Sequence, residues 1–365
     1  MTASERRPVS IDAYEARAEQ VLPKMVFDYI AAGAGEEWTV RENRAAWGEY
    51  VLRPRVLVDV GDRDLSTTVL GRAVSMPILI APTALHRLAH PDGELATARA
   101  AATAETIMCL SSIASATIED VAAATAGPKW FQLYVYRDRD LTAELVKRAH
   151  EARYEAVILT VDTPVLGIRE RDVENRFALP EGVVLANLVG VTSASLEEAV
   201  DGSALFAFVL QQQDPSVTWD DVAWLRSLTP LPVLVKGVLT AEDARLAVEA
   251  GVDGIVVSNH GGRQLDGTIP TALALPEVVE AAADRVEVLV DGGIRRGADV
   301  VKALALGARA VLVGRPVLWG LAVGGEEGVG HVLEILRNDL DIALAIAGCP
   351  SARDVPPELV GRRPA

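Results

Sequence analysis

The segment SNHGGRQLDG, residues 258–267, places a base and a fixed positive charge beside two glycines. His260 can accept a proton at neutral pH, because the ordinary pKa of histidine is near ~6.5. Arg263 can hold a carboxylate through two parallel N–H···O bonds. The glycines leave room between them for a small anionic molecule. The segment therefore predicts a base beside a carboxylate site, although an isolated histidine is more often a hydrogen-bonded structural residue.

Two other side chains could complete such a site. Asp162, in VDTPVLG, is a candidate to orient the imidazole and stabilise the imidazolium, as the aspartate of a catalytic triad does. As a structural residue it would instead cap a helix or form a turn. Arg169, in GIRERD, could bind a carboxylate or be a solvated loop arginine. No group of His, Cys and carboxylate residues has metal-ligand spacing, so we expect no metal.

The elements that would position these residues are short runs rich in Val, Ile and Leu, separated by amphipathic segments such as 240–251 and 297–308. The runs are apolar throughout, as in a parallel sheet that helices cover on both faces. Eight strand–helix units predict an α/β fold, a single (β/α)8 TIM barrel. The predicted strands are 77–81, 106–110, 130–135, 156–161, 232–236, 254–258, 286–291 and 310–314.

We assign residues 1–365 to a single domain in which residues 76–348 form the barrel. Residues 1–75 would form an N-terminal helical extension, with one or two helices in IDAYEARAEQVLPKMVFDYIAAG, and residues 349–365 a C-terminal tail. The interval 170–218, after the fourth strand, is too long for an ordinary connection. It predicts an active-site lid or an oligomer contact.

Polar residues follow the predicted strand ends, where TIM barrels gather their chemistry. DGGIRRG (291–297) and GRP (314–316) place glycines and arginines after the last two strands, a common site for phosphate. Two tight turns with solvated arginines are the alternative. Lys236 closes the fifth strand and could be a Schiff-base nucleophile, an anion partner or a side chain that reaches solvent.

Composition narrows the classes of partner. The chain has 365 residues with 35 basic and 51 acidic side chains, a formal charge of -16, which disfavours nucleic acid and anionic membranes. Its two cysteines give no disulfide framework. Charges and prolines interrupt every long apolar run, and MTASERRPVSIDAYEARAEQ lacks the apolar core of a secretory signal, so we expect none. We therefore expect a cytoplasmic enzyme with a small-molecule substrate.

These motifs together resemble the FMN-dependent L-2-hydroxy acid oxidases and dehydrogenases, the family of glycolate oxidase, lactate oxidase and mandelate dehydrogenase. The resemblance runs from about Tyr14 to about Gly348. SNHGGRQLD is the family's signature. LPKMVFDY, RPR, APTA, FQLYV, LTVDTP, VLVKG and DGGIRRG accompany it in the expected order.

The resemblance implies an FMN across the barrel mouth and a role for each motif residue. Lys236 would lie by N1 and the C2 carbonyl of the flavin, and Ser258 would help to hold the ribityl chain. His260, paired with Asp162, would be the base. Ring contacts are implied for Pro82, Thr83, Ala84, Ser111, Gln132 and Thr160; ribityl and phosphate contacts for Asp291, Gly293, Arg295, Gly314 and Arg315; substrate carboxylate contacts for Arg263 and Arg169, with the hydroxyls of Tyr29 and Tyr134.

The implied reaction is oxidation of an L-2-hydroxy acid to a 2-keto acid, with O2 reoxidising the flavin to give H2O2. Whether His260 takes the Cα proton or the hydroxyl proton stays open. Alternatives are a dehydrogenase with a quinone or protein acceptor, a lactate 2-monooxygenase, a type 2 isopentenyl diphosphate isomerase, which would lack the His260/Arg263 pair, and a non-catalytic flavin-binding barrel. The family is usually tetrameric, so a homotetramer is expected.

The chain departs from the family at a few positions. Ile113 stands where glycolate oxidases carry tryptophan, beside the substrate side chain, which favours a lactate-like or bulkier, mandelate-like substrate. Leu85 and His86 also differ from the usual residues after PTA. Membrane-bound mandelate dehydrogenases anchor through the region that here contains GVVLANLVGV (182–191) and ALFAFVL (204–210). These pieces are short and the chain is acidic, so no membrane association is expected.

Overall fold

A closed barrel of parallel strands forms the centre of the structure, a computed structural model that describes residues 7–188 and 212–364. Each strand pairs with the next in the chain, and the last pairs with the first, Val311 beside Ile78. The predicted (β/α)8 barrel is confirmed. Its strands are β4 (Ile78–Ile80), β5 (Met108–Ser111), β6 (Lys129–Leu133), β7 (Val157–Thr160), β8 (Val233–Val238), β9 (Gly254–Val257), β10 (Glu287–Val290) and β11 (Ala310–Val313).

The strands carry apolar residues at consecutive positions because both of their faces are buried. Leu79, Ile158 and Leu312 belong to the apolar cluster inside the barrel, whereas Ile78 and Ile80 belong to the larger cluster between strands and helices. This alternation follows from the two-residue period of a strand. The covering helices that the structure describes are α4 (Gly93–Thr103), α5 (Ile118–Ala124), α6 (Arg139–Glu151), α7 (Glu170–Glu174), α8 (Trp219–Ser227), α9 (Ala241–Glu249), α10 (Thr271–Ala282), α11 (Gly297–Ala305) and α12 (Arg315–Ala347), the last kinked at Gly324 and Gly325.

The region before the barrel holds more than the expected helices. α1 (Ile11–Val21) and α2 (Lys24–Ala31) lie in the predicted segment, and α3 (Trp38–Ala45) follows them. β1 (Tyr50–Leu52) pairs with β12 (Val360–Arg362), so the predicted C-terminal tail contributes a strand to the N-terminal region. A hairpin of β2 (Thr67–Val69) and β3 (Arg72–Val74) packs against the cluster inside the barrel.

The interval 170–218 is described only at its two ends. Helix α7 lies beside α2, where Asn175 donates to Asp28 (2.7 Å), whereas Asn187 lies beside the start of α5 and accepts from Ile118 N (2.9 Å). Residues 189–211, with ALFAFVL and part of GVVLANLVGV, lie outside the described residues, so the lid assignment stays a prediction. Across residues 7–188 and 212–364, no helix is both long and apolar enough to cross a membrane.

Candidate active site

A cavity opens at the carboxyl ends of the barrel strands. Its wall is built mainly from residues that follow strand ends, together with the C-terminal part of α2. Predicted site residues in this wall are Tyr29, Pro82, Thr83, Ala84, Ser111, Ile113, Tyr134, Arg169, Lys236, His260, Arg263, Asp291, Gly293, Arg295, Gly314 and Arg315.

Four predicted residues lie behind the wall: Gln132, Thr160, Asp162 and Ser258. Gln132 accepts from Ser111 Oγ (3.0 Å) and donates to Thr160 Oγ1 (3.0 Å), so Ser111 is their connection to the cavity. Ser258 Oγ accepts from Lys236 Nζ (2.8 Å) and from the His260 amide (3.1 Å). In this structure the four support residues of the wall from behind.

His260 and Asp162, from different strand ends, form a direct pair. His260 Nδ1 lies 2.9 Å from Asp162 Oδ1. A bulge in β8 makes room for the carboxylate, because a Cβ on Gly237 (φ +119°) would lie only 2.6 Å from Asp162 Cβ. Burial raises the pKa of Asp162, but its interactions with His260, including the hydrogen bond, and the charge of Lys236 outweigh burial and hold that pKa below its usual range. Asp162 is therefore ionised and accepts the Nδ1 proton.

The pairing fixes the state of the imidazole. Burial lowers the pKa of His260 below its ordinary value, although Asp162 acts in the opposite direction. At neutral pH the ring is therefore uncharged, with its proton on Nδ1. Because the other nitrogen of a neutral imidazole is an acceptor, the lone pair of Nε2 is free for a proton from the cavity.

Two arginines lie at the C-terminal end of α2, whose carbonyls carry the negative end of the helix dipole. Arg263 Nη1 donates to the carbonyls of Tyr29 (2.8 Å) and Ala32 (2.8 Å). Arg315 donates to the carbonyls of Ile30 (3.1 Å), Gly261 (2.8 Å) and Ala32 (3.0 Å). These bonds hold both guanidinium groups in place and leave further N–H groups on each for a bound anion.

Positive charge is concentrated in this cavity. Burial, with Arg169 beside it, lowers the pKa of Arg263 to about 10. Burial and the neighbouring Arg263 and Arg295 lower the pKa of Arg315 to about 9. Both groups remain protonated at neutral pH, so among the described residues four guanidinium groups and one carboxylate, that of Asp291, line the cavity. Such a cavity attracts anions.

The two tyrosines flank the arginines. The Tyr29 ring stacks on Phe177, with ring centroids 4.3 Å apart, and the guanidinium carbons of Arg263 and Arg169 lie 5.2 and 5.8 Å from its centroid. Burial, reinforced by the charge of Asp162, raises the pKa of Tyr134 well above its ordinary value. Tyr134 therefore keeps its proton and can donate it in a hydrogen bond.

The floor of the cavity carries a buried cation. Lys236 Nζ lies 3.0 Å from Asp291 Oδ2. Burial lowers the pKa of Lys236, but the carboxylates of Asp291 and Asp162 outweigh burial and raise that pKa above its ordinary value. Lys236 is therefore protonated, which disfavours the Schiff-base alternative, since a nucleophilic lysine must be uncharged.

Two buried polar atoms lie in the loop after β10. Within the described residues, neither Arg295 Nε nor Asp291 Oδ1 has a hydrogen-bond partner, although buried polar atoms normally do. Gly293 and Gly314 lie beside them, and Gly314 caps the N-terminus of α12. A bound molecule with a phosphate and hydroxyl groups would satisfy these atoms.

Sequence reasoning missed several residues of the site. Gln264 lines the cavity and donates to the Asp162 carbonyl (3.2 Å); its place inside the 258–267 segment was a usable signal. Thr163 and Leu166, in VDTPVLG, also line the wall. Phe177 had no signal, because only tertiary packing brings it to Tyr29. His86 supports the wall from behind, with Nε2 2.7 Å from Thr83 Oγ1.

Comparisons with known proteins agree with this geometry. A family model described as "FMN-dependent dehydrogenase" matches residues 18–362. Glycolate oxidase 3 of Arabidopsis thaliana is 55% identical over 94% of this chain and 93% of its own length. An L-lactate oxidase of Nostoc sp. is 52% identical over 95% of this chain and 96% of its own. A crystal structure of a mandelate oxidase superposes with a TM-score of 0.89 at 44% identity, covering 97% of this chain and 98% of the other.

Proposed function

The chain belongs to the FMN-dependent dehydrogenase family, and from that premise we propose that it oxidises an L-2-hydroxy acid to the 2-keto acid with O2 as acceptor. The observation that carries the proposal is the neutral His260–Asp162 pair, which faces a cavity that also holds Arg263 and Arg169. A base beside two guanidinium groups fits a substrate with an acidic proton next to a carboxylate. A flavin-binding barrel without activity would need neither the base nor the pair of guanidinium groups.

FMN is the cofactor of this family, and the cavity residues fit it. Arg295, Arg315, Gly293 and Gly314 would hold its phosphate, since they supply charge, backbone N–H groups and a helix N-terminus. Thr83, Ala84 and Ser111 would contact its ring, and Lys236 would place a buried positive charge near it. When bound, FMN supplies a two-electron acceptor for the oxidation and the means of passing those electrons on to O2.

His260 acts as the general base in this proposal. Nε2 takes a proton from the substrate, and Asp162 stabilises the imidazolium that results. Whether the proton comes from Cα or from the hydroxyl group, it arrives at the same ring atom. Tyr134, which keeps its own proton, would donate to a substrate oxygen. Per substrate molecule, two electrons and two protons leave and convert one O2 into H2O2.

The substrate carboxylate would bind between Arg263 and Arg169. Arg169 is 8% exposed and Asp172 lies 3.4 Å from its Nη1, so it is a buried, oriented group and not the solvated arginine of the alternative interpretation. Phe177 holds the ring of Tyr29 against the two guanidinium groups. This arrangement would orient a carboxylate before the proton is removed, as bidentate pairing does.

The side chain of the substrate would lie against Ile113. Ile113 and Leu166 both line the cavity and give it apolar surface. An isoleucine occupies less volume than the tryptophan of glycolate oxidases, so we propose a lactate-like or bulkier, mandelate-like substrate over glycolate. Apolar surface at this position would contribute binding free energy only to a substrate that has a side chain.

One experiment tests substrate class and acceptor together. Glycolate, L-lactate or (S)-mandelate is added without oxygen to purified protein, the visible flavin absorption is followed, and air is then admitted. We expect bleaching by L-lactate or (S)-mandelate and rapid return of colour with stoichiometric H2O2. No bleaching by any of these acids would sink the proposal. Slow return of colour would favour a quinone or protein acceptor instead, and CO2 release would favour a monooxygenase.

A further inference from the structure

Asn259, the residue before the proposed base, is joined to the N-terminal region by a reciprocal amide pair. Asn43 Nδ2 donates to Asn259 Oδ1 (2.8 Å), and Asn259 Nδ2 donates to Asn43 Oδ1 (2.8 Å). Asn43 lies on α3, outside the barrel, and the two residues are 216 positions apart in the chain. They are 2% and 3% exposed, so water does not compete for these bonds.

Further bonds fix the orientation of both amides. Asn259 Oδ1 also accepts from the Gly262 amide (3.2 Å), and Asn259 Nδ2 also donates to the Ile269 carbonyl (3.1 Å). Asn43 Oδ1 accepts from the Thr271 amide (3.3 Å). Turning either amide over would place donors against donors, so only one arrangement satisfies all of these groups. The pair is therefore a specific connection between α3 and both ends of the segment 259–271.

The backbone beside this pair has an unfavourable conformation. His260, Gly261 and Gly262 all have positive φ, at 58°, 64° and 77°. Glycine adopts this region freely, but a residue with a Cβ does not. A strained backbone of this kind persists only when its surroundings hold it. On one side Arg315 donates to the Gly261 carbonyl, and on the other the Asn43–Asn259 pair holds Asn259 and Gly262.

We propose that Asn43 is a positioning residue for His260: through Asn259 it fixes the left-handed turn that directs Nε2 into the cavity. The inference rests on the proposed role of His260 as base. Asn43 is not in the cavity wall; its side chain contacts the segment 259–271 through Asn259 at one end and the Thr271 amide at the other. The N-terminal region thus does more than cover the barrel, since it supplies one side of the connection that holds the catalytic loop.

The test compares Asn43→Ala, Asn259→Ala and the double variant, each loaded with FMN. Because a shift of about 1 Å can cost about 10²-fold in rate, we expect the limiting rate of anaerobic bleaching to fall about 10²-fold in Asn43→Ala. The half-saturating concentration of hydroxy acid should change little, since Arg263 and Arg169 are held separately. The double variant should be no slower than Asn259→Ala, because both substitutions break the same connection.

A second readout does not depend on turnover. The His260 Nδ1 proton, hydrogen-bonded to Asp162, should give a downfield ¹H NMR signal, assignable by its loss in His260→Gln among the five histidines of the chain. We expect this signal to broaden in Asn43→Ala. Should Asn43→Ala fail to fold, Asn43→Ser, which keeps one hydrogen-bonding atom, takes its place in both measurements.

Asn187→Ala is the matched control. Asn187 is a buried asparagine that also bridges backbone groups, accepting from Ile118 N (2.9 Å) and donating to the Ala116 carbonyl (3.3 Å). It should lose stability yet keep the wild-type rate and NMR signal. A wild-type rate or an unbroadened signal in Asn43→Ala would overturn the inference. If no hydroxy acid bleaches the wild-type protein, the proposed function fails, and the NMR comparison still decides whether Asn43 holds the loop.

Discussion

The two ring nitrogens of His260 have different surroundings, and this difference defines the proposed chemistry. Nδ1 is held by Asp162 at 2.9 Å, so the exchangeable proton of the neutral ring stays on that side. Nε2 is left to face the cavity as an acceptor. At the residue scale the proposed chemistry therefore depends on one carboxylate that selects the tautomer of His260 and on a His260 pKa that keeps the ring uncharged.

The pH dependence of bleaching tests that pKa. Since burial lowers the pKa of His260, the rate should be maximal at neutral pH and should fall only as pH drops below histidine's ordinary value of about 6.5. In Asp162→Asn the carboxylate that raises this pKa is gone, so the midpoint should move lower still. The plateau should also fall by about 10²–10⁴-fold, because the imidazolium loses its partner. Stopped-flow bleaching across pH measures the midpoint and the plateau of the profile. A midpoint that moves upward in Asp162→Asn would contradict the assignment of His260 as a base paired with Asp162.

Ile113 carries the prediction about substrate size. In Ile113→Trp the added ring should fill space beside the substrate and lower the mandelate-to-glycolate ratio of kcat/KM by about tenfold or more, which is the size of effect that steric fit supplies. Ile113→Leu, with nearly the same volume, should keep the wild-type ratio. An unchanged ratio in Ile113→Trp would show that Ile113 does not border the substrate side chain.

At the scale of elements, the site is assembled from strand ends and from helices outside the barrel. α2 offers the carbonyls that hold Arg263 and Arg315, and α3 contacts the loops after β9 and β10. A Cβ on Gly293 would lie 1.8 Å from the Asn43 carbonyl oxygen. The proposed phosphate loop and α3 therefore have no space for a side chain between them.

Gly293→Ala tests this close approach. The substitution should displace α3 or the loop and abolish FMN binding, measured as flavin content after purification and reconstitution. Gly71→Ala is a matched control, because Gly71 has nearly the same φ (+77° against +79°) but no atom within 4 Å of its would-be Cβ. Both variants bear left-handed strain of about 1–2 kcal/mol, and only Gly293→Ala should lose FMN. Full flavin content in Gly293→Ala would refute the packing argument.

The sequence predicted those parts of the fold and site that have a local cause. The strands follow from continuous apolar runs. Barrel topology places the residues at the carboxyl ends of the strands around one opening, so His260, Asp162 and Lys236 could be predicted to lie close together. Pairings between distant segments had no such signal: β1 with β12, Asn43 with Asn259, and Phe177 with Tyr29. In each case the partner is defined by tertiary packing, since neither periodicity nor composition encodes it.

At the scale of the whole molecule, an acidic protein surrounds a basic cavity. The chain has a formal charge of -16, yet four arginines line the site. Mutual repulsion among these buried cations destabilises the protein unless anions bind. Cytoplasmic localisation and a homotetramer stay predictions of the sequence.

Removing FMN should therefore lower the melting temperature. Ligand binding to the folded state stabilises it by about 2.7 kcal/mol when free ligand is about 100 times Kd. Inorganic phosphate should restore part of the stability of the apoprotein by occupying the arginines, while sodium chloride at equal ionic strength should restore less. Differential scanning fluorimetry measures the melting temperatures of the holoprotein, of the apoprotein, and of the apoprotein with each of the two salts. An apoprotein that phosphate stabilises no more than chloride would contradict a phosphate site here.

The proposed role of His260 as the base of an FMN-dependent hydroxy acid oxidation is checked by His260→Gln. Wild-type and variant proteins with equal flavin content are mixed anaerobically with saturating L-lactate or (S)-mandelate, with His150→Gln, on the exposed face of α6, as control. We predict that His260→Gln keeps FMN but bleaches about 10²–10⁴-fold more slowly, the range that a general base contributes. Bleaching of His260→Gln at the wild-type rate would contradict the assignment of His260 as the base.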